Sequence, residues 1–233
     1  MADKLVIGAS GGIGHAMLMQ LRAQNPNSQV IGTSRAGTDG LFRLDFNSVE
    51  SVDALIEQLK AQNLSLDQIL IASGVLHTPE QGPEKTFKEL SPQWLMQVMQ
   101  SNAIGPIYLL SRLLELIDRK ARVQIGVLSA RVGSISDNQL GGWYGYRASK
   151  AALNMYLKTL SIELKRTHKS VQILSLHPGT TDTNLSKPFQ ARVPSDKLFS
   201  SEFAAKALLS VLDEVAGGES GQFLAWDGAP IPW

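Results

Sequence analysis

Residues 4–14 read KLVIGASGGIG, an apolar run that passes directly into a turn with glycines at positions 8, 11, 12 and 14. The apolar run is typical of a buried strand, and a helical pattern follows it from Gly12 to Gln24. Glycines between a strand and a helix let backbone N–H groups approach a pyrophosphate, which the positive end of the helix dipole also attracts. A turn of this composition could instead be only a tight connection. In its strand-turn-helix setting, the run predicts a dinucleotide-binding turn.

Outward from this turn, short β-branched runs alternate with longer amphipathic stretches. Such alternation is typical of βαβ units, whose right-handed crossovers place helices on both faces of a parallel sheet. The predicted strands are Lys4–Ala9, Gln29–Thr33, Leu41–Asp45, Gln68–Ser73, Arg122–Ser129, Val171–Leu176 and Gln222–Trp226. The predicted helices are Gly12–Gln24, Ser48–Gln62, Ser91–Asp118, Tyr144–Arg166 and Ser201–Val215. We therefore expect an α/β fold, a doubly wound Rossmann sheet of about seven parallel strands that binds ligands beyond the strands' carboxyl ends.

The composition indicates a folded chain with a large core. The 233 residues are 43% hydrophobic and 18% charged. Since α/β chains of this length commonly form one domain, we expect a single domain over residues 1–233. A formal net charge of +1 gives no field that would attract a polyanion, so we expect no nucleic-acid partner.

The residues that usually hold metals are sparse. The sequence has no cysteine, which excludes disulfides and thiolate ligands. The histidines lack the paired spacing of a zinc site; they are His15, His77, His168 and His177. The apolar run after Lys4 is too short for a signal peptide or a membrane span. We expect a cytoplasmic protein without a metal and without a membrane partner.

The end of the second predicted strand indicates the cofactor. An acidic residue about 20 positions after the glycines would bind the adenosine ribose and repel a 2′-phosphate. The sequence there is Thr33-Ser34-Arg35, and a hydroxyl beside a guanidinium can hold a phosphate by charge-assisted hydrogen bonds. We predict NADP(H), with Ser34 and Arg35 as contacts. NAD stays possible, because Arg35 could be a solvated loop residue and Asp39 could fold back to the ribose.

Tyr146 and Lys150 lie four residues apart within a predicted helix, so their side chains share one face. A free phenol ionises near pH ~10, and an adjacent cation lowers that pKa toward neutrality. Tyrosine and lysine at this spacing also occur by chance on exposed helices. Combined with the glycine turn, the pair predicts proton transfer by Tyr146 during hydride transfer, with Lys150 tuning the phenol.

These features, together with residues 177–183 (HPGTTDT), resemble the short-chain dehydrogenase/reductase family over essentially the whole chain. The spacing Gly-x-x-x-Gly-x-Gly matches that family's glycine turn. Three stretches are similar to its C-factor and sniffer-type carbonyl reductase branch: 133–138 (GSISDN), 146–154 (YRASKAALN) and 227–233 (DGAPIPW). The resemblance implies hydride transfer between nicotinamide and a carbonyl or alcohol substrate.

The resemblance also implies the cofactor contacts. At the pyrophosphate turn they are Gly8, Ser10, Gly11, Ile13 and Gly14. The adenine contacts are Asp45 and Phe46, and the nicotinamide contacts are Pro178, Gly179, Thr181 and Thr183. Residues 71–74 read IASG where the family usually has Asn-Asn-Ala-Gly, so Ser73 and Gly74 border the cofactor without the usual bracing asparagines. Asn102 matches the asparagine that helps a water relay protons to the lysine.

The catalytic serine departs from the family pattern. Its register, three residues before Gly133, falls on Ala130. Strand alternation would aim Ser129 at the opposite face. Ser134, twelve residues before Tyr146, is therefore our candidate, although a loop hydroxyl there could simply cap a turn.

The substrate and the assembly are inferred less directly. Residues 184–199 resemble a lid whose apolar side chains predict an apolar substrate, although the segment could be a packed connection.

The helices Ser91–Asp118 and Tyr144–Arg166 carry enough apolar surface for a homo-oligomer, a dimer or tetramer, as equivalent helices often form in this family. They could also only cover the sheet. A cofactor-binding signalling or regulatory protein with little turnover is the alternative function, which the missing serine allows.

Overall fold

The apolar runs form one parallel sheet in the computed structural model, which describes residues 2–233. In chain order the elements are β1 (Asp3–Ile7), α1 (Gly12–Gln24), β2 (Val30–Ser34), β3 (Phe42–Arg43), α2 (Val49–Ala61), β4 (Leu66–Ile71), α3 (Pro92–Met99), α4 (Gly105–Leu114), β5 (Val123–Leu128), α5 (Tyr144–Thr167), β6 (Val171–His177), β7 (Thr180–Thr181), β8 (Leu198–Phe199), α6 (Ser201–Glu214) and β9 (Gln222–Ala225). The sheet order is β3-β2-β1-β4-β5-β6-β9, so the predicted doubly wound fold of seven parallel strands is confirmed.

Alternating side chains of the strands supply two separate cores. On one face, residues such as Leu5, Ile69 and Ile125 pack against α2, α4 and α5. On the other, Val6 and Leu70 pack with their neighbours against α1 and α6. Because successive strand residues point to opposite faces, a nearly continuous apolar run can fill both cores, which explains why these strands lack polar alternation.

At the start of three helices, a serine hydroxyl accepts a hydrogen bond from a backbone N–H of the first turn. Ser48 Oγ accepts from Ser51 N at the start of α2, and Ser91 Oγ accepts from Trp94 N at the start of α3. Ser200 does the same for α6. Each cap satisfies one of the free N–H groups of a first helical turn. Across residues 2–233, none of the helices has the length of apolar sequence that a bilayer crossing needs.

The predicted helix Ser91–Asp118 is interrupted, and this prediction was wrong in its continuity. A π-helical turn, Gln100–Ile104, separates α3 from α4, and α4 ends at Leu114. Pro106 explains the interruption, because it has no N–H to donate to the Asn102 carbonyl in an α-helical ladder. The interruption lies at a predicted site residue, as π-turns often do.

The third strand and the segment after β6 also differ from the sequence-based expectation. The predicted strand Leu41–Asp45 keeps only Phe42–Arg43, which pairs with the end of β2. β7 and β8 form an unpredicted two-stranded ladder, with Thr181 opposite Phe199. The segment between them contains two 3₁₀ turns and is thereby tied down at both ends.

A row of three glutamines crosses the sheet near the amino ends of its strands. Gln68, Gln124 and Gln172 lie opposite one another on β4, β5 and β6. Gln68 Nε2 donates to Gln124 Oε1 at 3.3 Å, and Gln124 Nε2 donates to Gln172 Oε1 at 2.9 Å. Gln124 also donates to Leu212 O, and Gln172 donates to Val215 O, so the row satisfies carbonyls at the end of α6.

Candidate active site

A cleft of about 180 Å³ opens at the carboxyl ends of the strands, beside the point where the strand order reverses between β1 and β4. It brings together eight of the residues predicted to hold the cofactor: Gly8, Ser10, Ser34, Arg35, Asp45, Phe46, Ser73 and Gly74. These residues come from four different strand ends. Their convergence is the arrangement that the dinucleotide prediction requires.

The glycine turn has the close approaches that only glycine permits. Gly8 has φ +81°, and a Cβ on it would lie 2.9 Å from Ser73 N. A Cβ on Gly14 would overlap with Gly8 O, so α1 could not pack against the turn with any other residue there. α1 begins after Gly11 without a side-chain cap. Its first N–H groups and the positive end of its dipole are thus available to an anion.

The cleft also contains polar groups that a cofactor would satisfy. Ser73 Oγ is buried without a hydrogen-bond partner among residues 2–233. A Cβ built on Gly74 would lie 3.6 Å from Lys150 Nζ and 3.6 Å from Asn102 Oδ1, so Gly74 leaves the cleft open toward these two side chains. The residues present therefore fit a dinucleotide whose reactive end reaches Lys150. No group of three or more His, Asp or Glu that could hold a metal ion occurs in residues 2–233.

Ser34 and Arg35 line the cleft at the carboxyl end of β2. Ser34 is buried and its Oγ accepts from Gly37 N, which holds the turn after β2. Arg35 is exposed at the cleft edge. Asp39, the acid that could have favoured NAD, is exposed with φ +57° and is not among the residues that line the cleft.

Tyr146 and Lys150 lie on one face of α5, and both are buried. Lys150 Nζ lies 5.8 Å from the centroid of the Tyr146 ring and donates to Leu128 O at 2.9 Å. That carbonyl ends β5, so the ammonium is fixed to the carboxyl edge of the sheet. Among residues 2–233, none hydrogen-bonds to the phenol oxygen, which leaves it free for a substrate.

Burial sets the protonation of both groups. It raises the pKa of Tyr146 to about 12 and lowers the pKa of Lys150 to about 8. The expected lowering of the Tyr146 pKa by Lys150 is therefore not found in this structure, because the loss of hydration dominates. At neutral pH the phenol is protonated, as a proton donor must be, and most of the lysine is charged.

Asn102 connects the π-helical turn to α5. Its Oδ1 accepts from Val75 N at 2.7 Å, and its Nδ2 donates to Val75 O and to Ser149 Oγ. The side-chain amide is thus occupied by protein groups. It joins the segment after β4 to the helix that carries Tyr146 and Lys150.

Glu84 is a residue that the sequence interpretation missed. It is fully buried, and its Oε2 accepts from Gly145 N at 3.1 Å. α5 starts from Trp143, which has φ +52° and provides no side-chain cap. The Glu84 carboxylate therefore caps this helix from 61 residues away and complements its dipole. No local sequence signal could have revealed it.

An apolar cavity of about 420 Å³ adjoins Tyr146. Its lining includes five predicted cofactor residues: Ile13, Pro178, Gly179, Thr181 and Thr183. Phe189 also lines the cavity and packs edge-on against Trp143, with ring centroids 5.0 Å apart, and against His77, with ring centroids 5.7 Å apart. Trp143 in turn contacts Tyr146 at 6.3 Å. The segment predicted as a lid thus forms a packed wall of the cavity.

The structure does not bring Ser134 to this cavity. The 3₁₀ turn Arg131–Gly133 redirects the chain, and Ser134 Oγ, which is buried, accepts from Asp137 N at 3.1 Å. Ser129 and Ala130 are among the residues that line the cavity. Ser129 Oγ is nevertheless buried and has no hydrogen-bond partner within residues 2–233. His177 also lines the cavity.

The chain is similar to a known dehydrogenase over its whole length. A family model described as short chain dehydrogenase matches residues 4–193. A 1-hydroxy-2-glutathionyl-2-methyl-3-butene dehydrogenase of Rhodococcus sp. (strain AD45) is 31% identical over 241 residues, covering 100% of both chains. C-signal of Myxococcus xanthus is 34% identical over 132 residues, which are 57% of this chain and 74% of that protein.

Solved structures show the same fold. A short-chain dehydrogenase/reductase of Burkholderia multivorans with bound NADP has a TM-score of 0.81 at 27% identity, over 100% of this chain and 99% of that one. The carbonyl reductase Sniffer of D. melanogaster has a TM-score of 0.84 at 22% identity, over 100% of both chains. The chain is an oxidoreductase of the short-chain dehydrogenase/reductase family.

Proposed function

We propose that the chain is a single-domain, NADP(H)-dependent reductase that interconverts an apolar carbonyl compound and its alcohol. The observation that carries this proposal is the position of Tyr146 and Lys150. Tyr146 lines the apolar cavity, and Lys150 lies at the Gly74 end of the cofactor cleft. A substrate carbonyl in the cavity would thus meet the proton donor next to the reactive end of the cofactor.

The glycine turn and α1 would hold the pyrophosphate, Ser34 and Arg35 the 2′-phosphate, and Asp45 and Phe46 the adenine. Asp39, the acid that could have favoured NAD, does not line the cleft, and Asp45, the acid that does, would contact the adenine. When bound, the nicotinamide supplies the hydride. The NADP bound to the Burkholderia relative supports the same cofactor here.

The protein's own contribution is position and a proton. Tyr146 keeps its proton at neutral pH, since burial raises its pKa, and it would give that proton to the carbonyl oxygen as the hydride arrives at carbon. Lys150 would orient the cofactor ribose and stabilise the phenolate that is left behind. By joining Val75 to α5, the Asn102 side chain would keep the groups that relay protons to Lys150 aligned with it.

The cavity wall indicates the substrate class. Leu76, Leu140, Leu185 and the aromatic pair Trp143 and Phe189 give a surface suited to a flat or bulky apolar group. The direct experiment is to follow NADPH consumption with a panel of aldehydes, ketones and quinones. A glutathionyl alcohol should be tested as the substrate of the reverse reaction, the oxidation of an alcohol, because the Rhodococcus relative is named for such a substrate.

A second function is favoured by one observation, the absence of a hydroxyl at Ala130. A chain that only binds cofactor, as a signalling or regulatory protein, would not need that group. Tight NADPH binding with no turnover of any panel member would support this alternative and refute the reductase. The cytoplasmic location and the homo-oligomer stay predictions from sequence.

Arg35→Asp is expected to weaken NADPH binding by about tenfold or more, because a charge-assisted hydrogen bond to phosphate is replaced by repulsion. NADH binding should be retained or improved. Fluorescence titration of both cofactors measures the change, and Arg43→Asp is the matched control, since Arg43 is exposed nearby but does not line the cleft. Unchanged NADPH affinity in Arg35→Asp would show that Arg35 does not contact the 2′-phosphate.

A further inference from the structure

Carbonyl reduction benefits from a second hydrogen-bond donor on the oxygen that receives the proton. The serines near the end of β5 do not present one. Ala130 has no donor, and Ser129 Oγ has no accessible surface to offer. Ser134 Oγ already accepts from Asp137 N and lies outside the cavity lining. These serines therefore leave the role of second donor unfilled, although the proposed proton donor, Tyr146, lines the cavity.

His177 lies beside Ala130, the position at which the hydroxyl is missing. Leu128 of β5 pairs with Leu176 of β6, so the residues that follow leave the sheet side by side. Arg131 N, which follows Ala130 directly, donates to His177 Nδ1 at 3.3 Å. The imidazole is thereby held against the 130–131 peptide, and both Ala130 and His177 line the cavity that contains Tyr146.

The bond from Arg131 fixes the tautomer of the ring. A backbone N–H can only donate, so Nδ1 must carry the lone pair and Nε2 must carry the hydrogen. Among residues 2–233, no group pairs with Nε2. The ring therefore keeps one free N–H donor on the side opposite the peptide that positions it.

The ring is also neutral at the pH where the enzyme would work. Burial and the Arg131 cation lower the pKa of His177 to about 4, although Asp227 and Asp137 act in the opposite direction. A neutral imidazole can donate a hydrogen bond without competing with Tyr146 to transfer its proton.

We propose that His177 is a catalytic residue whose Nε2–H donates a hydrogen bond to the substrate carbonyl oxygen, in place of the hydroxyl missing at Ala130. The assignment rests on the proposed reductase function. In the step itself, hydride from NADPH forms the new C–H bond and the carbonyl π electrons move to oxygen. Tyr146 gives that oxygen its proton and becomes phenolate. His177 keeps its proton throughout and stabilises the charge that develops on oxygen.

Two substitutions separate this role from packing. His177→Asn retains an acceptor near the Nδ1 position for Arg131 N but withdraws the donor from the cavity. His177→Gln can place an amide N–H near the Nε2 position. We expect His177→Asn to lower kcat by on the order of 10²-fold with the NADPH dissociation constant unchanged. We expect His177→Gln to stay within about tenfold of the wild type, since it keeps a donor.

Restoring the hydroxyl gives the decisive comparison. Adding Ala130→Ser to His177→Asn should recover at least about tenfold in kcat, because the serine returns the lost donor. His168→Asn, at the carboxyl end of α5 and outside the cavity lining, is the matched control and should leave kcat unchanged. Wild-type kcat in His177→Asn, or equal losses in Asn and Gln variants that Ala130→Ser does not relieve, would overturn the proposal. A wild-type chain that consumes no NADPH with any carbonyl would instead refute the reductase function, and the role of His177 with it.

Discussion

Tyr146→Phe is expected to lower kcat by about 10³-fold while leaving NADPH affinity within a factor of about two. The substitution removes the only transferable proton of the side chain and keeps the ring that packs against Trp143. Because no group in residues 2–233 hydrogen-bonds to the phenol, its loss leaves no buried partner unsatisfied. The fold should therefore be unaffected, and steady-state rates with one panel ketone measure the effect.

Tyr156→Phe is the control for the chemistry of the substitution. Tyr156 lies on the same helix but is 39% exposed and outside the cavity, so its loss should not change the rate. A Tyr146→Phe protein that reduces carbonyls at the wild-type rate would refute the proton-donor role. Loss of NADPH binding in Tyr146→Phe would show that the phenol also holds the cofactor.

Lys150→Met is expected to abolish turnover and yet stabilise the folded chain. Lys150 is 2% exposed, and burial lowers its pKa to about 8, so the folded state carries the cost of a desolvated ammonium at neutral pH. Methionine has a similar length and carries no charge. Activity should fall because both the cofactor contact and the support for the Tyr146 phenolate are lost, so NADPH binding should weaken as well, in contrast to Tyr146→Phe.

The pH dependence of stability tests the same feature. Between about pH 8 and pH 10.5 the unfolded lysine still holds its proton while the folded lysine has lost it, so the unfolded state binds more protons and stability rises with pH. From pH 7 to pH 10 the wild type should gain about 2 kcal/mol relative to Lys150→Met. Urea unfolding at both pH values measures this difference. If the wild type and Lys150→Met changed equally in stability between the two pH values, Lys150 would have to be solvated in the folded state.

The parts of the site that the sequence predicted are those set by local geometry. The glycine turn needs close approaches between residues six apart, such as Gly8 and Gly14, and these appear as glycines at fixed spacing. Tyr146 and Lys150 are neighbours because of helical periodicity alone. The strands followed from apolar runs long enough to fill two cores.

The parts that could not be predicted depend on distant contacts. Glu84 caps α5 across 61 residues, and the His177 ring is held by a backbone N–H 46 residues away. Phe189 contacts Trp143 from a segment whose two ends pair in the β7–β8 ladder. Ser134 was selected on spacing, but a 3₁₀ turn that spacing does not reveal directs its hydroxyl into a loop. Such interactions appear only once the tertiary structure is known.

The glutamine row gives the sheet a means of rejecting misaligned strand pairings during folding. Apolar parallel strands tolerate sliding, because one leucine or isoleucine packs nearly as well as the next. A one-residue slip of β5 against β6 would separate Gln124 from Gln172, exchange the two faces and deprive the α6 carbonyls of their donors. Gln124 lies four residues before Leu128, about 13 Å along the strand. The hydrogen bonds between these amides, far from Tyr146, thus fix the register of β5 against β6. That register places the Leu128 carbonyl bound by Lys150 and the imidazole of His177 at the same height along the strands.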